Sequence, residues 1–223
     1  MSYILNLETT TKQCSVAIGH KGKCIAAKQL LSKDYSHGEK LHLFIQNVLE
    51  KAKLELSQLD AVAISKGPGS FTGLRIGTAA AKGLCFSLGL PLIGLNTLEI
   101  MVNPFFGKNQ FDYIIPMLDA RRMEVYTAVF DNKKKCILKT NAMILSENSF
   151  HSKVGKSSCL IIGNGATKFQ SLNPNINSRF YDTVHYPSAK DMCFMAKEKF
   201  KNKDFEELIL FEPFYLKDFY TTP

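Results

Sequence analysis

No apolar segment of this 223-residue sequence is long enough to cross a bilayer; the longest, Leu84 to Leu95, is broken by Ser87, Gly89 and Pro91. The first residues also lack a basic region, a long hydrophobic stretch and a small-residue cleavage site, so export is not expected. Six cysteines (Cys14, Cys24, Cys85, Cys136, Cys159, Cys193) are scattered without a C-x-x-C pair. That spacing argues against a zinc cluster and for buried thiols in a reducing compartment. Low-complexity tracts and repeats of solenoid period are absent. Together these absences predict a soluble cytoplasmic protein. What is present is ordinary for a globular chain: 45% hydrophobic and 22% charged residues. The length suits two small lobes, each with its own core. A net charge of +8 is compatible with an RNA or acidic partner, but the lysines are dispersed. The one run, Lys133 to Lys135, follows Asp131-Asn132 and reads as a solvated hairpin turn.

Tyr3 to Leu7, Cys14 to Gly19 and Cys24 to Leu31 alternate or run apolar between polar turns, which predicts three antiparallel strands. Ser36 and Glu39 form a capping-box pair ahead of Leu41, Phe44, Ile45, Val48, Leu49 and Ala52 at helical spacing, predicting an amphipathic helix over about Gly38 to Lys53. Ala61 to Ser65 reads as a strand entering a glycine-rich loop, followed by a helix over Leu74 to Leu88, a buried strand over Leu90 to Leu95 and a short helix capped at Asn96-Thr97. Tyr113 to Ala120, Val125 to Asp131 and Cys136 to Leu145 repeat the three-strand meander. Leu160 to Gly163 is a further strand, Ser188 with Asp191 caps a last helix, and the tail from Glu212 is extended. The duplicated meander followed by helices predicts an α/β protein of the actin-like ATPase (ASKHA) architecture: two related lobes, each a mixed sheet with flanking helices, over residues 1–102 and 103–223.

The loop Gly67-Pro68-Gly69-Ser70-Phe71-Thr72-Gly73 is the most informative stretch, since closely spaced glycines before a helix let backbone N–H groups approach an anion. It is not a Walker loop, because Leu74 rather than lysine follows Gly73. It is not a Rossmann fingerprint either, because Gly73 falls one position late and no acid closes the next strand. Two readings stand level: a rigid turn seating the helix on the sheet, or an anion site formed by Gly67, Gly69 and Ser70. In the second reading Glu8, Thr9 and Thr10, at the first turn, are the accompanying acid and hydroxyls, although a lone carboxylate at a strand end is more often a solvated turn. The matching turn, Asp119-Ala120-Arg121-Arg122, offers no glycine until Gly155, so a second phosphate site is expected to be degraded. His37 and His42 are five residues apart, about 500° around a helix, which leaves them roughly 140° apart rather than converging on a metal. No G-x-S-x-G occurs, and Ser70 has no evident base. Gly77, Ala79, Ala80, Ala81 and Gly83 leave a nearly bare face on the second helix, suited to close packing on its own sheet or on a partner.

Several segments resemble one family. Ile4-Leu5-Asn6-Leu7-Glu8-Thr9-Thr10 is similar to its opening strand, Ser36-His37-Gly38-Glu39-Lys40-Leu41 to its first-helix motif, and Gly67 through Gly77 to the signature of the TsaB (YeaZ) family. Further similarities are Asp119 through Tyr126, Gly163-Asn164-Gly165-Ala166 and Pro213-Phe214-Tyr215-Leu216-Lys217. The sequence departs from that pattern in Glu8 for a usual aspartate, Met123 for a common glycine and Lys217 for a usual arginine. The resemblance implies a non-catalytic scaffold subunit of the complex that forms N6-threonylcarbamoyladenosine in tRNA. Such a subunit activates a TsaD-type transferase paralogue and recruits a TsaE-type ATPase. It pairs with itself when alone, and its contact with tRNA is indirect. It implies no cofactor or metal for this chain, ATP being used by the partner complex. The contact helices would be His42 to Lys53 and Arg75 to Leu88, with Leu41, Ile45, Gly77, Ala80, Ala81 and Leu84 at the interface. The alternative is an actin-like ATP-dependent phosphotransferase using Glu8, Thr9 and the glycine loop. A peptidase acting on the partner has no nucleophile-base pair in the sequence.

Overall fold

Apolar residues on both faces build the first sheet. In a computed structural model that describes residues 2–32, 37–107, 110–172, 178–180 and 184–217, strands β1 (Tyr3–Glu8), β2 (Gln13–His20) and β3 (Lys23–Leu31) form an antiparallel meander. Helix α1 (His37–Ala52) crosses over to β4 (Ala61–Gly67), parallel to β1, and α2 (Phe71–Leu88) leads to β5 (Leu92–Asn96), parallel to β4. The order is β3-β2-β1-β4-β5. Helix α2 starts at Phe71, three residues earlier than its apolar pattern implies, because Ser70 is its N-cap and accepts from the Gly73 amide. Gly89, left-handed at φ 66°, ends it. Asn96 caps α3 (Thr97–Val102) as expected, its Oδ1 accepting from the Leu98 and Glu99 amides at 2.9 and 3.3 Å. The expected cap at Ser36 lies outside the described residues.

The second sheet has the same topology. Strands β6 (Tyr113–Asp119), β7 (Glu124–Asp131) and β8 (Cys136–Ile144) form the meander. After α4 (His151–Val154), β9 (Cys159–Ile162) runs parallel to β6. After α5 (Ala166–Leu172), β10 (Ser178–Phe180) runs parallel to β9, giving the order β10-β9-β6-β7-β8. No local pattern in the sequence predicts α4, α5 or β10. Its core contains Met117, Val125, Val129, Ile161 and Phe169, with Phe150 edge-on to Phe169 at 5.3 Å between ring centroids.

The division into lobes differs from the one expected at residue 102. The compact units are Met1–Ile100 with Pro187–Tyr215, and Met101–Tyr186 with the end of the chain from Leu216. The last helix, α6 (Ala189–Lys201), belongs to the first unit. The reason is the pleat of the first sheet. On one face Leu5, Leu7, Val16, Ile18, Val62 and Ile64 meet α1 and α2. On the other, Ile4, Ala17, Ala61, Ala63, Ile93 and Leu95 are left to be covered, and Ala189, Met192, Cys193 and Ala196 of α6 cover them. The expected Ser188 capping box does not form. Ser188 is at the N-cap, but its hydroxyl donates to Gln29 Oε1 at 2.9 Å and so ties the helix start to β3. The tail then runs back along β5, where the Glu206 amide donates to Leu92 O at 2.9 Å and Lys66 pairs with Glu206 at 2.8 Å, so this sheet edge is covered.

Met192 is fully buried between α6 and the first sheet. Met192→Ala is therefore expected to destabilise by about 2–5 kcal/mol. Hydrogen exchange should show lost protection in β1, β4 and β5; a loss confined to β6–β9 would mean that α6 belongs with the second unit.

Candidate functional site

The glycine loop is built around the β1–β2 turn. A Cβ at Gly69 would lie 2.5 Å from the Thr10 carbonyl oxygen, and one at Gly73 or Gly77 would overlap the Thr9 carbonyl or hydroxyl. The contacts that require glycine are made by the chain itself. The Ser70 amide donates to Thr10 O at 2.7 Å and the Thr9 hydroxyl donates to Gly73 O at 2.7 Å. Of the two readings of this loop, the geometry favours the rigid turn that seats α2: the space beside Gly69 and Gly73 holds Thr9 and Thr10. Gly67 has φ 116°, a left-handed value, and lies against the Phe214 carbonyl, whose own amide donates to Lys66 O at 2.7 Å. The tail thus seals the other side of the loop. Tyr215 rests on Phe71 at 4.9 Å between centroids, and the Arg75 guanidinium lies 4.1 Å from the Phe71 ring centre.

Glu8 ends β1 with 0% of its surface exposed. Its Oε1 accepts from the Thr10 amide at 2.6 Å and the Thr10 hydroxyl at 2.5 Å. Burial pushes the carboxyl above its ordinary range, and hydrogen bonding from Thr10 and Ser65 offsets only part of that. Thr9, Thr10 and Thr11 are buried as well. His37, at the start of α1, is buried and donates from Nε2 to Thr11 O at 2.7 Å; burial lowers its pKa. His42 is exposed, so the two histidines point apart. Turn, glycine loop and first helix therefore meet in one hydrogen-bonded knot.

The second unit repeats the arrangement with different side chains. Its counterpart of the glycine loop is not in the β6–β7 turn but after β9. Gly163, at φ 103°, lies against the Met117 carbonyl, a Cβ on Gly165 would come within 2.8 Å of Val125, and the Gly165 amide donates to Met117 O at 3.0 Å. Asn164 Oδ1 accepts from the Asp119 amide at 3.0 Å. Asp119 Oδ1 in turn accepts from the Arg121 amide at 2.7 Å and pairs with Lys168 at 2.9 Å. Lys217 forms an ion pair with Glu124. Arg121 and Arg122 are exposed, at φ 69° and 47°. A glycine pair following a strand, as at Gly67 and Gly69, was the available signal for this loop.

A family model described as TsaD, tRNA N6-adenosine threonylcarbamoyltransferase, matches residues 31–221. The chain is 30% identical over 220 residues to the tRNA threonylcarbamoyladenosine biosynthesis protein TsaB of Escherichia coli, covering 96% of this chain and 94% of that protein. The chain belongs to this family, in its TsaB branch. YeaZ from Pseudomonas aeruginosa superposes with a TM-score of 0.84 at 24% identity, over 97% of this chain and 100% of that one. The ADPNP-bound activator of 2-hydroxyisocaproyl-CoA dehydratase from Clostridium difficile superposes with a TM-score of 0.52 at 10% identity, over 91% and 97% of the two chains. The fold is the actin-like ATPase fold. No helix among the described residues is long and apolar enough to cross a membrane.

The helices assigned to a partner interface need one correction. Leu41, Ile45, Gly77 and Ala81 are buried against the first sheet and are unavailable to another protein, while Ala80 and Leu84 are half-buried at the core margin. The outward faces of the same two helices carry other residues. Leu43 is 59% exposed on α1 and Phe86 84% exposed on α2, where Thr72, Arg75, Ala79 and Gly83 complete the outer line. Helical phase supplied the signal, since a position two residues beyond a core residue such as Leu41 turns about 200° away from it. One turn from Phe86, Lys82 donates to the carbonyls of Ile209 and Phe211 at 2.9 and 3.1 Å, and Ile209 and Leu210 beside it are 82% and 76% exposed.

Glu8 has a pKa raised by burial. Its contribution is therefore favourable below the unfolded carboxyl range and is lost as pH rises through the folded value. Glu8→Gln keeps an oxygen to accept from Thr10 and removes the buried charge. In urea titrations it is expected to be more stable relative to wild type at pH 7 than at pH 4. An offset independent of pH would mean that the carboxyl is not held protonated by burial.

Proposed function

We propose that this chain takes part in forming threonylcarbamoyladenosine in tRNA as a non-catalytic scaffold that docks and activates a TsaD-type transferase, with a TsaE-type ATPase joining the assembly. The observation that carries this reading is the contrast between a filled turn and an open helix face. Where an actin-like phosphotransferase needs free donors and an acid, Glu8, Thr9, Thr10 and Thr11 are buried and bonded to their own loop. Where a partner is expected, α1 and α2 present Leu43 and Phe86 to solvent, with Ala79 and Gly83 small enough for another helix to come close. The name of the Escherichia coli relative supports the pathway. In this reading ATP is consumed by the partner complex, tRNA contacts this subunit only indirectly, and the same helix face pairs two copies when the transferase is absent.

Light scattering of the chain, alone and mixed with the transferase of the same organism, tests the proposal. Wild type should exchange from a self-associated form into a one-to-one complex. Phe86→Asp should weaken that complex by at least about tenfold, the usual consequence of losing an aromatic anchor. Tenfold is about 1.4 kcal/mol, and the modified-nucleoside yield of the reconstituted system should fall with it. An unchanged complex would remove the helix face from the interface. Tight magnesium-ATP binding with hydrolysis by the isolated chain would favour the phosphotransferase reading instead.

A further inference from the structure

Two of the six cysteines meet in space. Cys24, second residue of the edge strand β3, is exposed; Cys193 is buried in α6, and neither is in a disulfide. Gly19 on β2 is the direct cross-strand partner of Cys24. Side chains of such partners point to the same face with Cβ positions about 4.5–5.5 Å apart. Gly19 has no side chain, and Cys193 fills the space: a Cβ built there would lie 3.2 Å from both Cβ and Sγ of Cys193. The Cys193 thiol is thereby set beside Cys24; it donates to Ala189 O at 3.7 Å, and the Cys24 thiol donates to Ala26 O at 3.5 Å. On its other side Asn6 Nδ2 donates to Cys193 Sγ at 3.7 Å, which fixes the buried sulfur in place.

We propose that Cys24 and Cys193 are an oxidisable pair, in which a hydroperoxide converts Cys24 to a sulfenic acid and Cys193 then closes a reversible intramolecular disulfide. In the first step the Cys24 thiolate attacks one peroxide oxygen, the O–O bond breaks and hydroxide, or the corresponding alkoxide, leaves. In the second, the Cys193 sulfur attacks the Cys24 sulfur, the S–O bond breaks and water leaves with the Cys193 proton. Sulfur is oxidised, the peroxide is reduced, and a dithiol restores both thiols by exchange. The surroundings suit the roles. The neighbouring Cys193 thiol lowers the Cys24 pKa to about 7, with the Ala26 backbone and Lys190 acting in the same sense while burial and Asp191 oppose it. Cys193, buried beside Cys24 and Asp191, has its pKa raised, so it does not react with peroxide itself and attacks only as its proton passes to the leaving oxygen. Cys14 and Cys85 are likewise buried and pushed up to about 12 and 11, so neither reacts first with peroxide. The bond would fasten α6 to the free edge of the first sheet.

The test is hydrogen peroxide titration of the full chain, followed by alkylation and non-reducing peptide mapping. One peptide pair joining Cys24 to Cys193 is expected, formed before the exposed Cys136 reacts and released by dithiothreitol. Cys24→Ser, a surface change, should leave Cys193 fully alkylatable after unfolding. Cys193→Ala should stop Cys24 at a sulfenic acid trapped by dimedone, and should move the midpoint of its alkylation rate upward from about pH 7. Should peroxide leave both thiols free, oxidise Cys24 no faster than Cys136, or join Cys24 only to another molecule, the proposal is overturned.

Discussion

The close approach of the β1–β2 turn to the backbone of the glycine loop is the constraint on which much of the first unit depends. Three carbonyls or hydroxyls in sequence, on Thr9, Thr10 and Thr11, are each received by a different element: Gly73 of α2, Ser70 at its cap, and His37 at the start of α1. Only glycine allows the approach at positions 69 and 73, because any Cβ there would enter the turn. Once these backbones are in contact, the entry points of both crossover helices are set, and with them the face each turns to the sheet. Glu8 lies beneath this knot, shielded from water, and its carboxyl is raised by burial as a direct result.

The two faces of the first sheet are covered by different means. Large side chains such as Leu5, Leu7 and Ile64 meet α1 and α2, the helices that precede and follow β4 in the chain. The opposite face carries Ala17, Ala61 and Ala63, small residues that let a single helix lie close. That helix comes late in the chain, after residues Met101–Tyr186 of the second unit. The tail then covers β5, binds the glycine loop through Phe214 and leaves Ile209 and Leu210 exposed beside α2. Long-range closure of this kind joins the first unit's stability to residues that sequence order assigns elsewhere.

Duplication of one topology does not imply duplication of its chemistry. Each unit sets a glycine-containing loop against the end of its first strand, so the backbone requirement is shared. In the first unit the turn is filled with buried hydroxyls and a carboxyl. In the second it carries Asp119 paired with Lys168 and the exposed arginines 121 and 122. The close backbone contact is retained while the polar groups around it differ in burial and charge.

Much of the architecture was legible from local pattern. Alternating or continuous apolar segments between polar turns mark both meanders, helical spacing marks α1, and the Asn96 cap marks α3, because each of these signals is written within a few neighbouring residues. The resemblance of Gly67 to Gly77 to a known signature located the loop. The elements without a local signal are short: α4 has four residues, α5 seven and β10 three. Residue identities by themselves left the glycine loop open between packing and binding. Tertiary structure favoured packing, because the atoms that occupy the loop belong to Thr9 and Thr10, some sixty positions away. Likewise the sequence determined which helices have a bare or apolar face, but only the fold decided that Leu41, Ile45, Gly77 and Ala81 face inward and Leu43 and Phe86 outward. Burial is a property of what lies opposite a residue, and for α6 the opposite wall is a sheet begun at Tyr3.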